Sequence, residues 1–204
     1  MHRRKGLPET SPAAVDVNRD IGSCVQRKQN PLGDGPQPHM SRIKCTQKLW
    51  RRLGHSGRPP IRSLHRLIPG SALGSWAADV LKYYGRELVI GLNERTHLTV
   101  LFPLSPRGQF HSNFASALAN LLSDLRLADG VIQAECTALE FAQLSRLTGR
   151  KLAKAFDHIK FECGIELDTH DDLHLVQRNL NELPHTDIEL CIPAREVRQL
   201  FEVA

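Results

Sequence analysis

Residues 88–104, LVIGLNERTHLTVLFPL, constrain the fold more than any other part of this chain. Two apolar runs flank the polar tetrad Asn93-Glu94-Arg95-Thr96. The segment therefore predicts an antiparallel hairpin with strands over about 87–92 and 97–104. Asn93 is expected to tolerate a left-handed backbone in the turn. Pro103 has no N–H to donate to a ladder, so the second strand should end at a sheet edge. A lone hairpin is marginal in water, so the segments around it must cover it.

The clearest cover is a helix over 109–125. Phe110, Phe114, Ala117, Leu118, Leu121, Leu122 and Leu125 recur at i, i+4, i+7, i+8, i+11, i+12 and i+15, which is one apolar stripe. Upstream, 42–45 reads as a short strand, Thr46 as a helix cap, 47–53 as a helix and Gly54 as its stop. Residues 54–71 carry three Pro and three Gly and read as a loop. Trp76, Val80 and Tyr83 or Tyr84 predict a helix over 74–84, closed by Gly85. Residues 131–137 are ambiguous between helix and strand, and 139–144 suggest a third core strand. Helices follow over 150–163, 172–181 (stopped by Pro184) and 194–201. The fold class is α+β: a small mixed or antiparallel sheet with a central hairpin, covered by about five helices.

A chain of 204 residues suits one domain with a tail. Residues 1–39 hold five Pro, four Gly and no aromatic residue, and show no sustained periodicity. They read as a disordered tail, or as upstream sequence before a start at Met40, and 40–204 as a single domain. No apolar run approaches the ~20 residues that span a bilayer. The basic start MHRRK is not followed by an apolar segment, which points away from a secretory signal and towards the cytoplasm. Five scattered cysteines without a CxxC pair argue against a disulfide framework or a structural zinc site.

Charge is unevenly distributed. From 41 to 78 there are eight Lys/Arg and no acid, and from 157 to 202 eleven acids against four Lys/Arg. Lys44, Lys48, Arg51, Arg52, Arg58, Arg62 and Arg66, with Arg42, offer a basic face for nucleic acid or an acidic partner. The alternative is that basic and acidic segments neutralise each other, within one fold or across a homodimer. No aromatic RNA platform or helix-turn-helix pattern points to sequence readout.

Three weaker constellations remain. His170 and His174, at i and i+4 in HDDLH, superficially resemble paired zinc ligands on one helix face. Thr169 as N-cap and Asp172 three residues later explain the same stretch as a capping box, so no metal or cofactor is assigned. Asn181, Glu182 and His185 sit at a helix end, where a Glu/His pair can do acid–base work. LTGRK, residues 147–151, places Thr148, Gly149, Arg150 and Lys151 at a helix start able to receive an anion, without the spacing of a P-loop. There is no G-x-S-x-G elbow, and a Cys/His pair cannot be assigned from spacing alone.

The opening RIKCTQKL, the central LGSWAADVL and ELVIGLNERTHLTVLFPL, and the late DLHLVQRNLNELPH together resemble an uncharacterised bacterial domain family of unknown function, sometimes carried on mobile elements. The resemblance covers about residues 40–201. LTGRKLAKAFDHI departs from the family's pattern, which would carry an Asn near Gly149 and an Asn-Asp-type ending near Asp157 and His158. The resemblance implies the domain limits and an α+β fold, and no chemistry. The reading is a binding or regulatory domain rather than an enzyme. A hydrolase-like site on His170, His174, Glu182 and His185 is the first alternative, and a homodimeric interaction module the second.

Overall fold

The predicted hairpin is present, and the rest of the sheet is built on it. The structure, a computed structural model, describes residues 41–55, 70–184 and 191–202. β3 (Arg86–Asn93) and β4 (Thr99–Pro103) pair antiparallel, with Ile90 opposite Leu101. Asn93 organises the turn through its side chain, not through a left-handed backbone. Its Oδ1 accepts from the Arg95 and Thr96 amides at 3.0 and 2.9 Å, and its Nδ2 donates to Leu73 O at 3.0 Å. The left-handed residue is His97, at φ 57°.

The helix expected over 74–84 is instead a strand, β2 (Trp76–Tyr83), joined to β3 by a two-residue turn at Tyr84 and Gly85. Both turn residues have positive φ, the geometry a tight hairpin needs. β2 is central, so both its faces are buried and its polar–apolar alternation is erased. Trp76, Ala78 and Val80 enter one apolar cluster, and Ala77, Leu81 and Tyr83 pack on the other. What remains in the sequence is an apolar spacing that a helix would also produce.

β1 (Arg42–Cys45) runs parallel to β2, and β5 (Gln143–Arg146) parallel to β1. The mixed sheet has the order β4-β3-β2-β1-β5. The strand expected over 139–144 is displaced. The ambiguous segment before it is helical as far as Glu140, and β5 begins three residues later at the sheet edge.

Six α-helices cover the two faces among the described residues. α1 (Gln47–Arg52), α2 (Phe110–Asp124), α3 (Asp129–Glu140) and α6 (Pro193–Glu202) lie on the Trp76 face. α4 (Arg150–Thr169) and α5 (Leu173–Glu182) lie on the other. Gly91 lets α2 approach the sheet: a Cβ there would stand 2.4 Å from Cζ of the buried Phe114.

β4 is an edge strand, as Pro103 implies, and α5 seals its outer side. Asn181 Oδ1 accepts from Thr99 N and its Nδ2 donates to Thr99 O, both at 2.7 Å. Gln177 Oε1 accepts from Leu101 N at 2.7 Å. Two amide side chains one helical turn apart thus stand in for the missing strand.

Candidate anion-binding mouth at the ends of β1 and β5

β1 and β5 are parallel neighbours, and their helices leave towards opposite faces. Thr46 ends β1 and caps α1, accepting from Leu49 N at 3.3 Å, and α1 packs on the Trp76 face. Leu147 follows β5, its N–H on Cys45 O at 2.8 Å, and the chain turns through Thr148 and Gly149 into α4 on the opposite face. Where the helices of adjacent parallel strands leave towards opposite faces, the strands' carboxyl ends are a common place for ligands to bind. Here that end, the mouth, lies between the starts of α1 and α4.

The pairing of β1 with β5 makes neighbours of two cationic segments about 100 residues apart in sequence. Residues 41–55 carry Arg42, Lys44, Lys48, Arg51 and Arg52 without an acid, and 143–156 carry Arg146, Arg150, Lys151 and Lys154 without an acid. Lys48, Arg51, Arg146, Arg150, Lys151 and Lys154 are exposed. Gly149 caps α4 with no side-chain bond to the first turn, so the amide end of a 20-residue helix faces this mouth beside Arg150.

Beneath the mouth lies a buried polar knot that the sequence did not reveal. Asp79, on β2 and 6% exposed, accepts from Thr46 Oγ1 and from Val80 N (2.7 Å) through Oδ1, and pairs with Lys160 of α4 through Oδ2. Lys48 Nζ reaches Val80 O at 3.5 Å. Asp79 thus ties β2, the β1–α1 junction and α4 into one unit. Its negative charge, together with desolvation as the larger cause, pushes the neighbouring Cys45 thiol up to about 12.

A family model described as a domain of unknown function, DUF6933, matches residues 42–196. The chain belongs to the DUF6933 family. No curated protein matches it. The matched span of the DUF6933 domain runs from β1 into α6 and includes both sides of the mouth.

Other predicted residues of this DUF6933 domain fall as follows. Lys44 pairs with Glu94 at 2.7 Å and Arg52 with Glu87 at 3.1 Å, so part of the expected basic face is neutralised within the fold. Arg58, Arg62, Arg66 and His185 lie outside the described residues, as do residues 1–39. His170 and His174 do not share a helix face. His170 ends α4 and its Nε2 lies 3.8 Å from Glu166, whereas His174 is on α5 with Nε2 2.8 Å from Asp124 of α2. Thr169 is the last residue of α4, and the N-cap of α5 is Asp172, which accepts from His174 N at 2.9 Å. Among the described residues no three His, Cys, Asp or Glu side chains are grouped as a metal site. Glu182 is exposed at the end of α5, and its neighbour Asn181 faces inward onto β4.

A concavity lies at the opposite edge of the sheet, along β4. Asn113, Ser116 and Asn120 of α2 and Asp172, His174 and Gln177 of α5 line a groove of about 430 Å³. A cleft of about 670 Å³ shares Pro103, Ser105 and Leu173 with it and adds Arg86 and Arg107. The groove offers amides and hydroxyls, with Asp172 already engaged as a helix cap.

Proposed function

We propose that this DUF6933 domain is a cytoplasmic binding or regulatory module that takes an anionic partner, nucleic acid in the first place, at the mouth between β1 and β5. The observation that carries the reading is the exposed cation set Arg146, Arg150 and Lys154, which runs from the end of β5 into a helix start whose amides lack a side-chain cap. Phosphate groups are suited to such a surface, because helix N–H groups and guanidinium forks both donate to them. The alternative hydrolase-like reading has less support, since His170 and His174 turn towards different partners on different helices.

Fluorescence anisotropy of the full chain with mixed DNA and RNA probes, titrated over salt, tests the proposal. Four phosphate contacts predict a slope of log K against log[salt] of about −3 to −4. Replacing Arg150 and Lys154 by Glu should reduce the slope by about 2. Absence of binding at low salt overturns the nucleic-acid reading. Acidic peptides in the same titration, and light scattering across the same salt range, distinguish an acidic protein partner from self-pairing.

A further inference from the structure

Cys191 and His97 are 94 positions apart, and the fold brings Cys191 Sγ to 3.4 Å from His97 Nδ1. We infer that they form a reactive thiol–imidazole pair, a modification site for soft electrophiles and foremost for low-molecular-weight disulfides.

The two groups are placed by rigid neighbours. His97 sits in the β3–β4 turn with its N–H on Asn93 O at 3.0 Å, and Asn93 is itself fixed by its side-chain bonds to Leu73, Arg95 and Thr96. Cys191 directly precedes Ile192, whose carbonyl accepts from Arg195 N at 2.9 Å and Glu196 N at 3.1 Å to open α6. The sulfur therefore lies at the start of a ten-residue helix, with a base in contact and the positive end of a helix dipole close by. Both features favour a thiolate.

The chain's other described cysteines supply the contrast. Cys45 and Cys163 are fully buried, with thiols pushed up to about 12, chiefly by desolvation. Cys136 is more open, yet burial and the carboxylates of Glu140 and Glu135 raise it to about 11. None of the three is bonded to an imidazole, whereas Cys191, itself buried at 7% exposed, lies against one. In the reaction the Cys191 proton passes to His97 Nδ1 and the sulfur attacks one sulfur of the disulfide. The S–S bond breaks, a mixed disulfide forms on Cys191, and the departing thiolate takes the proton from His97.

Iodoacetamide labelling of the native full-length chain at neutral pH, read site by site by peptide mass spectrometry, tests the pair. Cys191 should be alkylated at least tenfold faster than Cys136, with Cys45 and Cys163 unlabelled. Glutathione disulfide should give a mixed disulfide at Cys191. His97→Gln should slow Cys191 about tenfold and leave the Cys136 rate unchanged. Labelling of Cys45 or Cys163 in that variant would report unfolding, in which case the wild-type ratio decides. Cys191 reacting no faster than Cys136 in the wild type overturns the inference, as does a folded His97→Gln variant with an unchanged Cys191 rate.

Discussion

Removing the Asn181 side chain asks whether the polar residues at the end of α5 form a binding site or a structural seal. Asn181 is 1% exposed, and the Thr99 N–H and C=O it serves belong to a fully buried residue. Asn181→Ala leaves both groups without their partners. At about 1–3 kcal/mol for each orphaned buried group, and with some relaxation, the loss should be about 2–4 kcal/mol. For a domain of this size that lowers Tm by roughly 10 °C. Asn181→Asp separates the two bonds. Its carboxylate can still accept from Thr99 N, yet its other oxygen faces the carbonyls of Thr99 and Gln177, to which Nδ2 donates at 2.7 Å. The folded state therefore favours the protonated acid, which raises the carboxyl above its unfolded value of about 3.9. A raised acid stabilises the fold as pH falls through the folded value, so Asn181→Asp should be worse than Asn181→Ala at pH 7 and recover in acid. Urea unfolding at several pH values, with hydrogen exchange at the Thr99 amide, provides the assay. An Asn181→Ala variant within about 0.5 kcal/mol of wild type, with slow exchange at Thr99, would refute the seal.

Three further outcomes follow from the packing. Gly91→Ala drives a methyl into the buried Phe114 ring and should cost about 2–3 kcal/mol; Phe114→Leu in the same chain should recover at least 1 kcal/mol in a double-mutant cycle, and strict additivity would contradict the close approach. Lys160→Met strips the buried Asp79 of its cation and should cost about 3–5 kcal/mol in urea unfolding, most of it restored by adding Asp79→Asn; if the double variant is no better than the single, the pair is not the source. Glu135 is raised by burial, which outweighs its bonds from Ser71 Oγ at 2.5 Å and from the Ala72 and Leu73 amides. Its contribution is fully present below the unfolded carboxylate range and falls as pH climbs through the folded value. Glu135→Gln should therefore gain on the wild type over that window, whereas parallel stability–pH curves would contradict the assignment.

The features legible in the sequence carry a local signal: a polar turn between two apolar runs marks the β3–β4 hairpin, the α2 stripe leaves one helix face to water, and Thr46 caps α1. β2 resembles a helix in sequence because both of its faces are buried and its apolar spacing fits either element. The basic segment 42–52 was visible, but Glu94 and Glu87, which neutralise Lys44 and Arg52, come from the β3 region, and only the fold shows that they meet. LTGRK stood out by itself. Its junction with α1 depends on the β1–β5 register, in which Cys45 lies opposite Arg146. The amide seal did leave a signal. Val176, Gln177, Leu180 and Asn181 form one inward stripe in which two of the four members are amides, a pattern that marks a helix laid against an open strand edge.

The sheet edges narrow what the basic mouth can hold. On β4, Gln177 and Asn181 occupy the outer groups. Where β2 runs past the end of β1, Val80 N is taken by Asp79 and Val80 O by Lys48. β5 differs. Gln143 N and Leu147 N point to β1, so by alternation Leu144 and Arg146 turn their main-chain groups outward, and among the described residues no bond reaches them. An acidic peptide in extended form would meet this edge and the cations of α4 together, by strand addition. Nucleic acid would need only the cations. Arg146→Pro separates the two, because proline removes an outward N–H without touching the bonds to β1. Compared with Arg146→Ala, which carries the same charge loss, the proline variant should bind DNA and RNA probes equally well and bind acidic peptides at least tenfold more weakly. Equal peptide binding by the two variants would show that charge alone draws the partner to this end of the sheet.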